Sequence, residues 1–273
     1  MPRVQIRPLR TLAEFRACER IQREVWGTLA VGSELMGVTQ KYGGVVLGAI
    51  RRGEVIGFIY ALLARRRGSL IHWSHMMAVR EGYRDRGLGF RMKLAHRKLA
   101  LAQGIKSICW TFDPLQSRNA TLNLTRLGAE VEEYVEDCYG RFPSAIEKGL
   151  PSDRFVVNWK ISKAAVARRL AETTPGSQTI TRVPFANVTR FNSDGLLEIV
   201  SLRLDLRAPD LLVEIPPNTD SMRSQAPRLA IRWRIQTRKV FQRYFRRGYR
   251  VVGFLPPGSS MASRCFYLLR HRR

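Results

Sequence analysis

The chain has 273 residues, 45% hydrophobic and 9% aromatic, enough apolar material for a folded core and too much for a mainly disordered chain. That length holds one large domain or two modest ones of roughly 100 to 200 residues. The net charge of +25 comes mostly from arginine, with only eight lysines among 47 basic residues, and it implies an anionic partner: a phosphorylated cofactor, an acidic small substrate or nucleic acid.

Residues 4–10, VQIRPLR, read as a first strand. Thr11 can cap the helix TLAEFRACERIQREVWG, where Leu12, Phe15, Ile21 and Val25 recur at loosely helical spacing. A helical turn or loop follows around SELMGVTQKYG. GGVVLGAI, EVIGFIYALLA and SLIHWSHMMAV are strand candidates separated by the turns RRG and RRRG, an antiparallel meander. A helix over 88–103, stopped by Gly104, leads to the strand KSICWTF at 106–112. Strand, glycine turn, helix and strand in that order make a βαβ unit with parallel strands.

In DPLQSRNATLNLTRLGAE, Ser117 is a candidate helix cap and Gly128 the stop. The strands VEEYVEDCY and, past the proline-bounded segment 143–152, RFVVNWKIS complete a mixed sheet, and KAAVARRLAE is helical. A turn-rich stretch over 171–184 marks a linker, giving a domain over 1–170 and a smaller α/β extension over 185–273. In the extension LLEIVSLRLD, LLVEIPP, YRVVGFLPP and CFYLLR read as strands and APRLAIRWRIQTRKVFQRYFRRG as one helix. VEIP, then helix, then strand echoes the first βαβ unit without its glycine pair, as a degenerate repeat or an unrelated packing module would.

No apolar run reaches the roughly 18 residues that cross a bilayer. The N-terminus lacks the apolar core and cleavage site of a signal peptide, so a cytoplasmic protein without a membrane partner is expected. Cys18, Cys109, Cys138 and Cys265 are scattered with no CxxC spacing and read as apolar fillers; neither a metal nor a disulfide framework is expected. The basic residues are dispersed, and no signature of a common nucleic-acid-binding module is present, which argues against nucleic acid.

The stretch VREGYRDRGLGFRMKLAHRKLALAQG, residues 79–104, carries the chemistry. Glycines between a buried strand and a helix either turn the chain or let backbone N–H groups face an anion at the helix N-terminus. Gly87 and Gly89 leave a phosphate room to approach, and Arg84, Arg86 and Arg91 add charge. A Walker loop needs GK followed by Ser or Thr, which is absent; the dinucleotide fingerprint needs glycine or alanine where Met92 stands. RxxGxG after an antiparallel meander is satisfied by Arg84, Gly87 and Gly89.

With that strand before it, and with helix, strand and RNA…LGA after it, the region 3–162 resembles the GCN5-related N-acetyltransferase (GNAT) superfamily. DPLQSRNA, RLGA, DRFVVNWKI, and the distal VEIPP with WRIQTRKVFQRYFRRGYRV, are similar to a two-part subgroup of predicted GNAT acyltransferases. The resemblance implies an α/β (α+β) fold: a central mixed, mostly antiparallel sheet flanked by helices, with the C-terminal α/β extension as part of the architecture. It implies an acyl-CoA donor, acetyl-CoA by default or a longer one such as succinyl-CoA. The pyrophosphate would fall on Arg84, Asp85, Arg86, Gly87, Leu88 and Gly89 and the helix start Phe90. The pantetheine would lie beside Met77 and Val79, near Asn119 of SRNA.

Acyl transfer to an amine needs a neutral nucleophile, donors for the developing oxyanion and a proton for the departing thiolate. His75 is the leading base, from a strand position that serves this role in some family members; the alternative is a packed strand histidine. His72, at the other parity, points to the opposite face. Glu34, from the loop that walls the acceptor site in the family, is a second acid–base candidate. A backbone N–H around Met77 can serve the oxyanion. Where the family places its acidic tyrosine stands Leu124, which leaves water, Ser117, Tyr134 or Tyr139. Trp73 and Trp110 line an acceptor pocket or the core. Trp233, Phe241, Tyr244 and Phe245 read as a packing stripe, and Arg232, Arg234 and Arg238 as a carboxylate clamp or a solvated basic face.

The expectation is an acyl-CoA-dependent N-acyltransferase acting on a small amine acceptor, anionic in view of the arginine excess, such as an amino acid or derivative. A homodimer is compatible with it. A non-catalytic CoA-binding module, or an arginine-rich nucleic-acid binder, are the competing classes.

Overall fold

A computed structural model of the chain describes residues 4–27, 30–140, 150–172, 182–258 and 263–272. Most of the expected linker and of the segment 143–152 lies outside them. Among the described residues, one compact unit runs to Trp110 and includes Trp159–Lys163; the other takes the rest from Thr111 onward.

The first unit contains β1 (Gln5–Pro8), α1 (Leu12–Trp26), α2 (Ser33–Lys41), β2 (Val45–Arg51), β3 (Glu54–Arg66), β4 (Ser69–Val79), α3 (Leu88–Ala102) and the start of β5 (Ile108–Phe112). Thr11 and Glu14 form a capping box at α1, the Glu14 N–H donating to Thr11 Oγ1 at 3.3 Å and the Thr11 N–H to Glu14 Oε2 at 3.0 Å. This satisfies two otherwise orphaned backbone donors. SELMGVTQK is a full two-turn helix, α2, rather than a turn. The two arginine–glycine turns have left-handed backbones, with φ of 51° and 81° at Arg52–Gly53 and 49° and 80° at Arg67–Gly68. That is the two-residue turn whose twist matches antiparallel strands, and it fixes the meander β1-β2-β3-β4. β2 and most of β3 are buried on both faces. One face packs on α1 and α2 through Phe15, Met36, Phe58 and Tyr60; the other packs on α3 through Leu47, Ile59, Leu88 and Met92.

The register of β4 slips at one place. Tyr60 faces Met76 and Ala61 faces Ser74, so His75 is the extra residue of a bulge. The bulge inverts the strand's phase. His72 and Ser74 point toward α3 before it, and Met77 and Val79 do so after it, while Met76 and Ala78 face α1 and α2. On its other edge β4 pairs in parallel with β5 only at His72–Ile108 and Trp73–Cys109.

The second unit contains α4 (Ser117–Ala120), β6 (Glu130–Val135), β7 (Arg154–Trp159, its last residue in the first unit), α5 (Ala164–Ala171), β8 (Asn187–Phe191), β9 (Leu197–Leu202), β10 (Asp210–Ile215), α6 (Thr219–Gln225), α7 (Pro227–Arg246), β11 (Tyr249–Leu255) and β12 (Cys265–His271). Its strands neighbour one another in the order β7-β6-β11-β12-β10, each pair antiparallel, with β8 and β9 as a separate hairpin. The aromatic stripe of α7 packs as its spacing implies: Phe241 lies 4.7 Å and Phe245 5.9 Å from the Phe155 ring, and Trp233 Nε1 donates to Leu197 O at 2.8 Å. β12 separates β10 from β11, so the echo of the first βαβ unit extends to element order and not to strand pairing. The whole is a mixed α/β fold of mostly antiparallel strands flanked by helices.

Candidate functional site

The turn from β4 into α3 is built on backbone. A short 3₁₀ turn, Glu81–Tyr83, follows β4, and the Arg84 Nε–H donates to Val79 O at 2.9 Å, tying the loop to the strand end. Asp85 and Gly87 have φ of 61° and 70°; Gly87 is the left-handed N-cap of α3, and a Cβ there would meet nothing within 4 Å. Gly87, as the cap residue, brings no side chain to the helix start, and the first turn of α3 holds no acidic residue. The positive end of the α3 dipole is therefore available to an anion. Leu88 lends this loop only its backbone, because its side chain is in the core. Arg86 is exposed, whereas Arg91 is turned away, its Nη2 donating to Val4 O at 3.0 Å.

Beyond Trp73 the β5-facing edge of β4 pairs with no strand among the described residues. Met77 and Val79 therefore have no strand partner on that edge, where the Val79 carbonyl accepts from Arg84, while their side chains pack toward α3. Loop and open edge meet in one unit. Asn119 belongs to α4, in the second unit.

His75 occupies the bulge, exposed, with its ring 6.1 Å from that of Tyr60 at 76°; the Tyr60 hydroxyl is 3.0 Å from Thr39 Oγ1. Partial desolvation lowers its pKa from 6.5, which leaves the imidazole neutral at pH 7. Glu34 stands exposed in the first turn of α2 and shares no hydrogen bond with His75.

The acid candidates are engaged elsewhere. Ser117 is the first helical residue rather than the cap, and its hydroxyl donates to Pro217 O at 2.6 Å. Tyr134 donates to Asp153, and burial with that neighbouring carboxylate drives its pKa far above 10. Tyr139 is exposed, its hydroxyl 2.9 Å from Thr111 Oγ1, and Leu124 is buried. Arg232 is exposed, but Arg234 is no solvated cation: it is buried with Nη2 on Asp113 Oδ2 at 2.6 Å, and Arg238 pairs with Asp153 and Glu136.

A polar cluster between β4 and α3 was not foreseen from sequence. The Lys93 ammonium donates to Ser74 Oγ at 3.1 Å and sits 3.7 Å from the centroid of the Trp110 ring. His72 and His96 stack 5.2 Å apart. Because a carbonyl only accepts, His72 Nε2 donates to Gly43 O at 3.2 Å, and His72 Nδ1 accepts from His96 Nε2 at 3.0 Å. Burial holds both imidazoles below 6.5, so the pair is neutral. The available signal was geometric: His72 and Ser74 are two apart on a strand, Lys93 and His96 three apart on a helix, so each pair shares a face.

Residues 12–129 match the family model described as Acetyltransferase (GNAT) family. None of the curated proteins matches the chain. Among solved structures, an acetyltransferase of the GNAT family from Streptococcus pneumoniae is similar with TM-score 0.46 and 17% identity, over 57% of this chain and 98% of that one. Ribosomal-protein-alanine N-acetyltransferase from Brucella melitensis is similar with TM-score 0.47 and 18% identity, over 56% and 98%. Arabidopsis thaliana NAA60 in complex with acetyl-CoA gives TM-score 0.47 and 15% identity, over 58% and 99%.

Proposed function

We propose that the protein is an acyl-CoA-dependent N-acyltransferase acting directly on the amine of a small acceptor, a reading supported by the match of residues 12–129 to the GNAT acetyltransferase family model. The observation that carries the proposal is the adjacency of a left-handed glycine cap at the N-terminus of α3, a β4 edge with no strand partner among the described residues beyond Trp73, and a bulge that exposes His75. Backbone N–H groups from Gly87 to Phe90, with Arg84 and Arg86 beside them, fit a pyrophosphate; the open edge at Met77 and Val79 fits the amide-bearing pantetheine arm. Bound acyl-CoA supplies a thioester whose C–S bond breaks as the acceptor's C–N bond forms.

His75, neutral at pH 7, takes the proton from the acceptor's ammonium, directly or through one water. The backbone N–H at Met77 serves the carbonyl oxygen as it gains charge. With Leu124 buried and Tyr134 held by Asp153, water is the simplest proton source for the thiolate. The net charge of +25 favours an anionic acceptor such as an amino acid or its derivative.

Gly89→Glu tests the donor site. It puts a carboxylate in the first turn of α3, where the helix dipole favours it, so the fold survives; against a pyrophosphate the like charge costs several kcal/mol. Calorimetry should show CoA affinity falling by about 100-fold or more, and an unchanged affinity would overturn the pyrophosphate site. His75→Ala should lower turnover by about 100-fold with CoA affinity intact. Full turnover in that variant removes His75 from the mechanism, whereas CoA binding by the wild type without turnover on any amine would make the protein a binding module.

A further inference from the structure

The closed end of the β4–β5 split holds a cation without an anion. Ser74 and Trp110 directly follow the last paired residues, Trp73 and Cys109, and Lys93 Nζ lies against both, 3.1 Å from Ser74 Oγ and 3.7 Å from the Trp110 centroid. Only 2% of Lys93 is exposed, which removes water as its counter-dipole. An ammonium carries three donors: one is on Ser74, one meets the ring, and among the described residues no carboxylate pairs with the third. His72 and His96 add no charge, since their hydrogen bond and that to Gly43 O are made by neutral rings. The Ser74 hydroxyl accepts from Lys93 and keeps its own proton to donate. An amine, a hydroxyl and an indole face thus converge one residue from the bulge.

We infer that Lys93 and Ser74 form an acyl-group subsite that selects a donor whose short acyl chain ends in a carboxylate, a dicarboxylic acyl thioester, over an acetyl or other neutral acyl group. The inference rests on the donor-site reading above. A terminal carboxylate supplies the missing counter-charge, takes the third Lys93 donor and accepts from Ser74 Oγ–H, while its methylenes pack on Trp110. A neutral acyl group leaves the buried cation as it is. Burial alone pulls the Lys93 pKa down from 10.5 to about 7, in keeping with a site that lacks its anion.

Calorimetry on the wild-type protein with CoA, butyryl-CoA and succinyl-CoA decides the matter, because the last two differ chiefly in the terminal carboxylate. Succinyl-CoA should bind at least about tenfold more tightly than butyryl-CoA, the value of one charge-assisted hydrogen bond. In Lys93→Met that preference should fall to within about twofold while affinity for CoA itself is kept. Equal binding of the two thioesters by the wild type overturns the subsite and leaves the donor site standing. Failure of all three to bind ends the donor-site reading, and the subsite with it. Intact mass after incubation with succinyl-CoA gives a further outcome: a succinyl group on Lys93 makes it an acceptor rather than an anchor and also overturns the inference. The wild-type comparison does not depend on the variant folding.

Discussion

Asp113→Ala is expected to destabilise the second unit by about 3 kcal/mol, because it strands a buried guanidinium. Arg234 is 1% exposed, its Nη2 donates to Asp113 Oδ2 at 2.6 Å, and its Nε and Nη1 already lack partners. Removing the carboxylate takes the last anchor and leaves a full charge in the core. Asp113 keeps a fifth of its side chain exposed, so water partly screens the pair and the lower end of the usual 3–5 kcal/mol range applies. Burial pushes the Asp113 pKa up, but the charge and hydrogen bond of Arg234 and the Leu115 N–H outweigh it and hold it below 3.8. A folded pKa below the unfolded one means stability present above pH 3.8 and lost as pH falls through the folded value. Urea melts at pH 7 read the loss. In Asp113→Ala with Arg234→Met most of it should return, because the stranded charge is gone. A single-variant loss under about 1 kcal/mol would mean that water already satisfies Arg234.

What could be read from the residues alone was whatever local chemistry decides. The RG turns demand left-handed backbone and gave the meander; Thr11 and Glu14 marked the start of α1; the glycine pair before an amphipathic helix marked the anion loop. Long-range pairing decides the rest. β8, to which the sequence alone assigns no element, is held because the Asn187 amide exchanges hydrogen bonds with the main chain of Glu214, at 3.0 and 2.9 Å. The Ser117 hydroxyl was spent on Pro217 rather than on a helix end. Arg234 lies between buried Trp233 and exposed Ile235, two residues from exposed Arg232, and only the fold shows that it faces Asp113. His75 was visible as a strand histidine, but the bulge that frees it arises from the slipped pairing of β3 with β4.

Lys93→Met is expected to stabilise the protein at pH 6 and progressively less as pH rises. The Lys93 pKa falls from 10.5 to about 7 on burial. Below pH 7 the amine is protonated in both states, and the fold bears the whole cost of the buried cation, about 5 kcal/mol at 1.36 kcal/mol per pKa unit. From pH 7 to 10.5 the unfolded chain holds a proton that the folded chain has released, so wild-type stability rises with pH, and above 10.5 the cost is gone. Methionine carries none of this. The stability difference between variant and wild type, read from urea melts, should therefore shrink by about 3 kcal/mol between pH 6 and pH 9. Taking the difference cancels the alkaline behaviour of the other 46 basic residues, which both proteins share. A difference that stays constant across that range would show that Lys93 titrates as an ordinary solvated amine. The same cost connects stability to ligand choice, since a bound carboxylate lifts it by supplying the counter-charge and holding the proton on Lys93. At equal ligand concentration and pH 7, succinyl-CoA should then raise the melting temperature more than butyryl-CoA does, and Lys93→Met should erase that excess.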